Sequence, residues 1–477
     1  MNEKIGLRAF SALLAVMLVS MVLMPAVSAS DSNCEDEQRS NGSVNEKALV
    51  RFGDLTEMRI ADEKVVNAKI PSSIKNYDLV VFDLPKIREH LLMGDQLTVY
   101  LEGQPYTMDL QETTIDTEAI AKGIHSFTGS LTGVEDSQVL LTVGNKVLLG
   151  RIVIDYTEYF IESTSMQDSK LSSAFLQYVY SSKDIVPEGD TIPIDSHPLS
   201  THAIDEKAYA LKKMLEEQAD PCATVTVRVL VATDSQWMTD EPDWQDTAAA
   251  IIQYCNYDFN TLGVSIVPIY DTSKAQQLSN DPQIISSPLS TFKNYFPESY
   301  LNSKSADLGL YLGGYDSSSE GVGSSGGYDH SSLYRYAWAQ MADDPSTYDA
   351  VLKDRAVVTM HELGHAFDAA HEYAPYQTEI YNRAYEFYEH NQYWQTVMWG
   401  CFMKSAWLQF SANDGFYGDA NHDNSRRITE TKGVVASYFE AGNQLPLLVG
   451  VQVLTIVPGR GGAGLPLLPQ NRSHVVC

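Results

Sequence analysis

The stretch His361-Glu362-Leu363-Gly364-His365-Ala366-Phe367-Asp368-Ala369-Ala370-His371 constrains this chain more than any other feature. On a helix, His361 and His365 stand one turn apart on the same face, so both imidazoles can reach one ion. Glu362 is displaced around that helix, away from the metal and beside the place where water would be activated. His371 would lie on the far side of an unbroken helix, ~9 Å further along. The three histidines meet only if the helix stops and the chain turns back at Asp368. That turn calls for a left-handed backbone, which glycine adopts freely and aspartate tolerates with mild strain. The fold must therefore supply a helix, a sharp reversal and a support for both.

The surrounding pattern supplies the helix and a sheet behind it. Thr224–Ala232 is a nearly continuous β-branched run suited to a strand buried on both faces. Asp246–Leu262 reads as a helix, Val264–Tyr270 and Ala306–Leu312 as further strands, and Gly321–Gly326 as an edge strand in a Gly/Ser-rich loop. The histidine helix is predicted from Ser346, with Asp349 as capping-box partner, to about Phe367. Alternating strands and helices mean an α/β layer. A second helix is predicted over Thr378–His390, where Glu379, Glu386 or Glu389 offer an alternative third ligand should His371 stand idle.

The first half reads differently. Asp78–Leu84, Gln96–Glu102, Ser137–Val143, Lys146–Asp155 and Gln177–Ser181 are strand-like, and Gly144-Asn145 joins two of them as a hairpin. Nothing in this half clusters as a ligand set. A Pro-rich linker and a charged helical stretch from Asp205 to Gln218 follow, with Lys212-Lys213 as a candidate processing point.

At the N-terminus, Lys4 and Arg8 precede the apolar run Ala9–Met24, and Ala26-Val27-Ser28-Ala29 ends it in small residues. This is the signature of a secretory signal peptide cut after Ala29, so the expected location is extracellular. An oxidising compartment would let Cys222, Cys255, Cys401 and Cys477 pair, leaving Cys34 over. With 62 acidic residues against 33 basic ones, the formal charge of −29 repels nucleic acid and anionic lipid. Asp419, Asn421, Asp423, Asn424 and Glu430 fit the twelve-residue spacing of a calcium loop, although Arg426 and Arg427 bring opposing charge into it.

The extended histidine motif resembles that of the metzincin zinc peptidases, His-Glu-x-x-His-x-x-Gly-x-x-His, with Asp368 at the glycine position. In Thr396-Val397-Met398-Trp399-Gly400, Met398 matches the methionine that packs beneath the metal, with Met403 as fallback. Phe127-Thr128-Gly129-Ser130, Ser137-Gln138-Val139 and Tyr159-Phe160-Ile161-Glu162 are similar to the propeptide of reprolysins. The resemblance implies an α/β catalytic domain, a twisted mixed sheet with an active-site helix, preceded by a β-rich prodomain. It implies one catalytic zinc on His361, His365 and His371, Glu362 as general base, and protein or peptide substrates. Trp407–Ser411 would line the pocket beyond the cut bond. The organisation expected is a signal peptide over 1–29, prodomain and linker over 30–215, catalytic domain over 216–441 and a tail over 442–477. The alternatives are a zinc peptidase with a glutamate ligand and a secreted binding domain that keeps the metal without activity.

Overall fold

Ten antiparallel strands built from the first half form one curled sheet: β1 (Val50–Arg51), β2 (Thr56–Ile60), β3 (Asp78–Phe82), β4 (Leu97–Leu101), β5 (Gln104–Glu112), β6 (His125–Leu131), β7 (Gln138–Val143), β8 (Leu148–Ile154), β9 (Thr157–Thr164) and β10 (Leu176–Ser181). Their spatial order is β1-β4-β5-β6-β7-β8-β9-β10-β3-β2. The computed structural model describes residues 49–60, 70–164, 176–185, 192–193, 216, 220–281, 288–313, 322–328, 333–342, 351–372, 379–389, 392–402 and 406–439. The signal-peptide stretch, Lys212-Lys213, Cys34, Met403, Cys477 and the tail from 442 lie outside them. The predicted hairpin forms in register, Val143 facing Leu148 and Gln138 facing Val153.

The second half is a mixed five-stranded sheet. Strands β12 (Val225–Thr233), β13 (Val264–Asp271), β14 (Leu308–Leu312) and β16 (Tyr336–Ala339) run parallel, and β15 (Gly323–Ser325) is antiparallel at one edge. The order is β13-β12-β14-β16-β15. Alternation along β12 divides its side chains between two cores. Val227, Val229 and Val231 face a core with the central helix (Trp244–Phe259) and the histidine helix (Leu352–Ala366). Leu230 and Ala232 face Phe292, Phe296 and Leu301 on the other side. Both faces are thus buried, as a run without polar alternation requires.

The central helix is buried nearly all round because it packs on two sheets. Ala248, Ile251, Ile252 and Cys255 share one core with Val227 and Val229 on one side and Leu140, Val147 and Leu149 of the β7–β8 hairpin on the other. The described residues form a single compact unit. Cys255 is a buried free thiol, so the expected pairing of the second-half cysteines does not extend to it. No described helix is long and apolar enough to cross a membrane.

Three expectations change. The histidine helix starts at Leu352 rather than near Ser346, and its N-cap residue Val351 provides no side-chain cap. Ser346 and Asp349 lie outside the described residues. The helix predicted over Thr378–His390 is absent among the described residues; β17 (Glu386–Glu389) pairs there with β18 (Gln392–Thr396). Phe387 is buried against Phe416 and Tyr417 while Glu386 and Tyr388 point out, a period of two that suits a strand. The calcium spacing is likewise not a loop. Asp423 caps the closing helix (Asn424–Val435) through Arg426 N, and Asp419 holds Asn421 N and His422. Glu430 sits on that helix against Arg426. Among the described residues these carboxylates do not come together as a metal-binding group.

Candidate metal centre

His361 and His365 project from the last two turns of the histidine helix, both buried. The helix ends at Ala366 with Phe367 as its C-cap, and Asp368 then takes φ +66°, the left-handed turn that the spacing demands. This brings His371 back. Its Nε2 lies 2.9 Å from that of His361 and 3.0 Å from that of His365, and the remaining pair is 3.1 Å apart. Among the described residues these three form the one group of His, Cys, Asp and Glu side chains able to hold a metal.

The opposite ring nitrogens set the tautomers. His361 Nδ1 donates to Val397 O and His365 Nδ1 to Ala369 O, each at 2.8 Å. Carbonyls can only accept, so those protons are committed and the Nε2 lone pairs of both rings point inward. Lone pairs converging at about 3 Å repel one another unless a cation lies between them. The donor set therefore fits a divalent metal of the zinc type, and the carbonyl partners are the orienting contacts such ligands need.

Two glycines shape the surroundings. A Cβ on Gly364 would lie 2.5 Å from Met398 Sδ, so the missing side chain lets that sulfur pack against the histidine helix between the two ligands. Met398 is wholly buried in the Thr396–Gly400 turn that also holds Val397 O, and Gly400 lies beside the His371 ring. On the other side, a Cβ on Gly323 would lie 2.4 Å from Glu362 Oε1. Edge strand β15 therefore passes directly over Glu362. Gly323→Ala should displace the strand or the carboxylate and lower kcat/KM at least ~10-fold, by the strain of overpacking a filled site. Unchanged kinetics, with an unchanged unfolding midpoint, would show that the close approach is unimportant.

The turn itself is strapped by the closing helix. Asp368 Oδ2 accepts a 2.6 Å hydrogen bond from Arg427, which is 2% exposed and also meets Glu216 at 3.1 Å and Glu430 at 3.4 Å. Burial alone would favour loss of the Arg427 proton, but the Asp368 and Glu216 carboxylates outweigh it and hold the guanidinium charged. Thr431 Oγ1 donates to Phe367 O, and Asn424 Nδ2 to Ala370 O. The carbonyls of Phe367 and Ala370 and the Asp368 carboxylate thus meet donors from one helix, while Asp368 O accepts from Asn382 Nδ2 and Ala369 O from His365. The sequence showed Arg427 only as a charge opposing calcium, and nothing in the spacing tied it to Asp368.

The remaining candidates are placed elsewhere. Glu386 and Glu389 sit on β17, and Glu386 accepts from Gln395. Trp407, Leu408, Phe410 and Ser411 are buried: Phe410 packs on Phe259 beneath Gly364, and Trp407 on Trp394. Their role is core support rather than an open pocket wall.

With this geometry in hand, the comparisons are direct. Residues 223–411 match the model of a metallo-peptidase family, M12, of the reprolysin type. This stretch runs from β12 past β18 and holds the histidine triad and Met398, so this part of the chain is similar to the metallopeptidases of that family. The crystal structure of metalloproteinase-II from Bacteroides fragilis aligns at 11% identity and a TM-score of 0.44, covering 71% of this chain and 91% of that chain. No curated protein matches the sequence.

Proposed function

We propose that the chain is a secreted zinc-dependent endopeptidase, made as a precursor, in which His361, His365 and His371 hold the metal and Glu362 is the general base. The observation that carries this reading is the convergence of three Nε2 atoms within 3.1 Å, two of them with tautomers fixed by carbonyls. A zinc ion bound there would polarise a peptide carbonyl and make water a nucleophile near neutral pH. The protein's own part is proton management. Glu362, one residue after the first ligand and outside the ligand set, takes the proton of the attacking water and returns it to the leaving amine.

An internal peptide bond is favoured because β15 is the outer strand of its sheet and lies over Glu362. An extended chain adding to that edge would pass the carboxylate and continue on both sides. Secretion rests on the N-terminal Lys4, Arg8 and Ala9–Met24 pattern, and the precursor reading on the β-rich first half and the Lys212-Lys213 site. The structure favours His371 over a glutamate as third ligand, since His371 is already in place. Incubation of the secreted protein with casein tests the reading. Cleavage should stop with a chelator and return with about one equivalent of zinc. Cleavage that persists after zinc is shown to be gone would end it.

A further inference from the structure

The ten-stranded sheet grips the helix that bears the metal ligands by its opposite end. Leu352, the first residue of the histidine helix, donates its N–H to Glu162 Oε2 of β9 at 3.1 Å. This contact does what a side-chain cap would do, and Val351 does not provide one. Glu162 is itself aimed by the hydroxyls of Tyr180 and Tyr178 at 2.6 and 2.8 Å. One residue on, Lys353 forms an ion pair with Glu158, whose other oxygen takes Arg151 Nε at 2.7 Å. All three charges are at most 3% exposed. Burial alone would raise the Glu158 carboxyl; Lys353 and Arg151 outweigh it and hold it below the usual range.

The apolar contacts continue the same seam. Val351 packs with Val81, Phe160 and Tyr180 of the first sheet. Leu140, Val147 and Leu149 complete the core around the central helix, and Gln253 of that helix bonds Phe127 O and Thr142. A segment built only to block a cleft and leave would touch the cleft. The sheet's contacts to the histidine helix instead lie at its first turn, ~14 Å along it from His361. The sheet's other contacts reach the central helix and, through Val153 and Tyr156, Trp394 and Trp407, while the linker residues Ile192–Pro193 pair with Cys401–Phe402 just past the turn beside His371. Taken together they are buried and mainly apolar, the character of an obligate interface, with one paired charge cluster among them.

We infer that the β-rich half is a permanent structural partner, which stays bound after the linker is cut and keeps the histidine helix in place through Glu158 and Glu162. The inference builds on the proposal that the chain is processed in the linker, but its test does not read peptidase activity. A specific protease site is inserted between residues 195 and 210 of the full chain, and the purified, zinc-loaded protein is cut. The two fragments should co-elute in size-exclusion chromatography, with the near-ultraviolet circular dichroism and zinc content of the uncut protein.

The paired variant Glu158→Gln/Glu162→Gln should weaken their association on the order of 100-fold, because Lys353 is left buried without its counter-charge. Glu298→Gln, which pairs with Lys293 on the opposite side of the five-stranded sheet, serves as control and should leave association unchanged. Fragments that separate, with the C-terminal one keeping its native spectrum and zinc, would overturn the inference. Association undiminished by the paired variant would overturn the role given to the two glutamates.

Discussion

Glu362→Gln should lower kcat against a peptide substrate by ~10²- to 10⁴-fold while the protein keeps its zinc. Glutamine preserves the shape of a side chain that is wholly buried under β15. What it removes is the capacity to take a proton. The three histidines keep their spacing and carbonyl partners, so metal content should be unaffected. The loss should fall on kcat rather than KM, since the base acts in the transition state and substrate would be held by the strand edge. Parallel measurement of zinc by elemental analysis and of steady-state kinetics checks both halves. Activity within threefold of the parent would remove Glu362 from the mechanism. A variant that also loses its zinc would place Glu362 in the support of the site instead.

The ligands, the base and the reversal were legible because the chemistry fixes their spacing locally. Two imidazoles four apart on a helix and a third reached through one turn leave few backbones to choose from, and Asp368 takes the left-handed conformation that this requires. Strand β12 was legible from its β-branched run, and β13 and β14 as short apolar segments alternating with helices. What was not legible depends on contacts distant in sequence. The start of the histidine helix is set by Glu162, nearly two hundred positions earlier, so a capping box near Ser346 was the best local guess. Glu386–Glu389 became a strand because Phe387 found Phe416 and Tyr417, and helix propensity of its glutamates could not foresee that. The acidic cluster at Asp419–Glu430 carried the right residue types for calcium, but Asp423 was needed as a helix cap. Gly323 was read as part of an edge strand, but not that its lack of a side chain is what admits Glu362.

Arg427 provides the second large effect, expected in metal affinity rather than in chemistry. Asp368 stands where the related motif has glycine, and a non-glycine residue at φ +66° costs about 1–2 kcal/mol. The buried ion pair to Arg427 offsets that strain and fixes the turn that carries His371. Arg427→Met keeps the apolar length of the side chain but leaves the Asp368 carboxylate without its partner. Zinc affinity, measured by competition with a chromogenic chelator, should fall ~10- to 100-fold, the usual consequence of losing a contact that orients a metal ligand. Asp368→Gly alone should change affinity by less than about threefold, because glycine adopts the turn without strain. Combined with Arg427→Met, it should recover most of the lost affinity, since the turn itself then carries no carboxylate to be paired; Glu216 and Glu430, which also lose Arg427, lie off the turn. Misfolding of the closing helix would not be rescued in this way, so recovery separates a clamp on the turn from general damage. Full zinc affinity in Arg427→Met would show that the turn holds His371 without help from the closing helix, and a loss that the double variant does not recover would be general damage rather than a lost clamp.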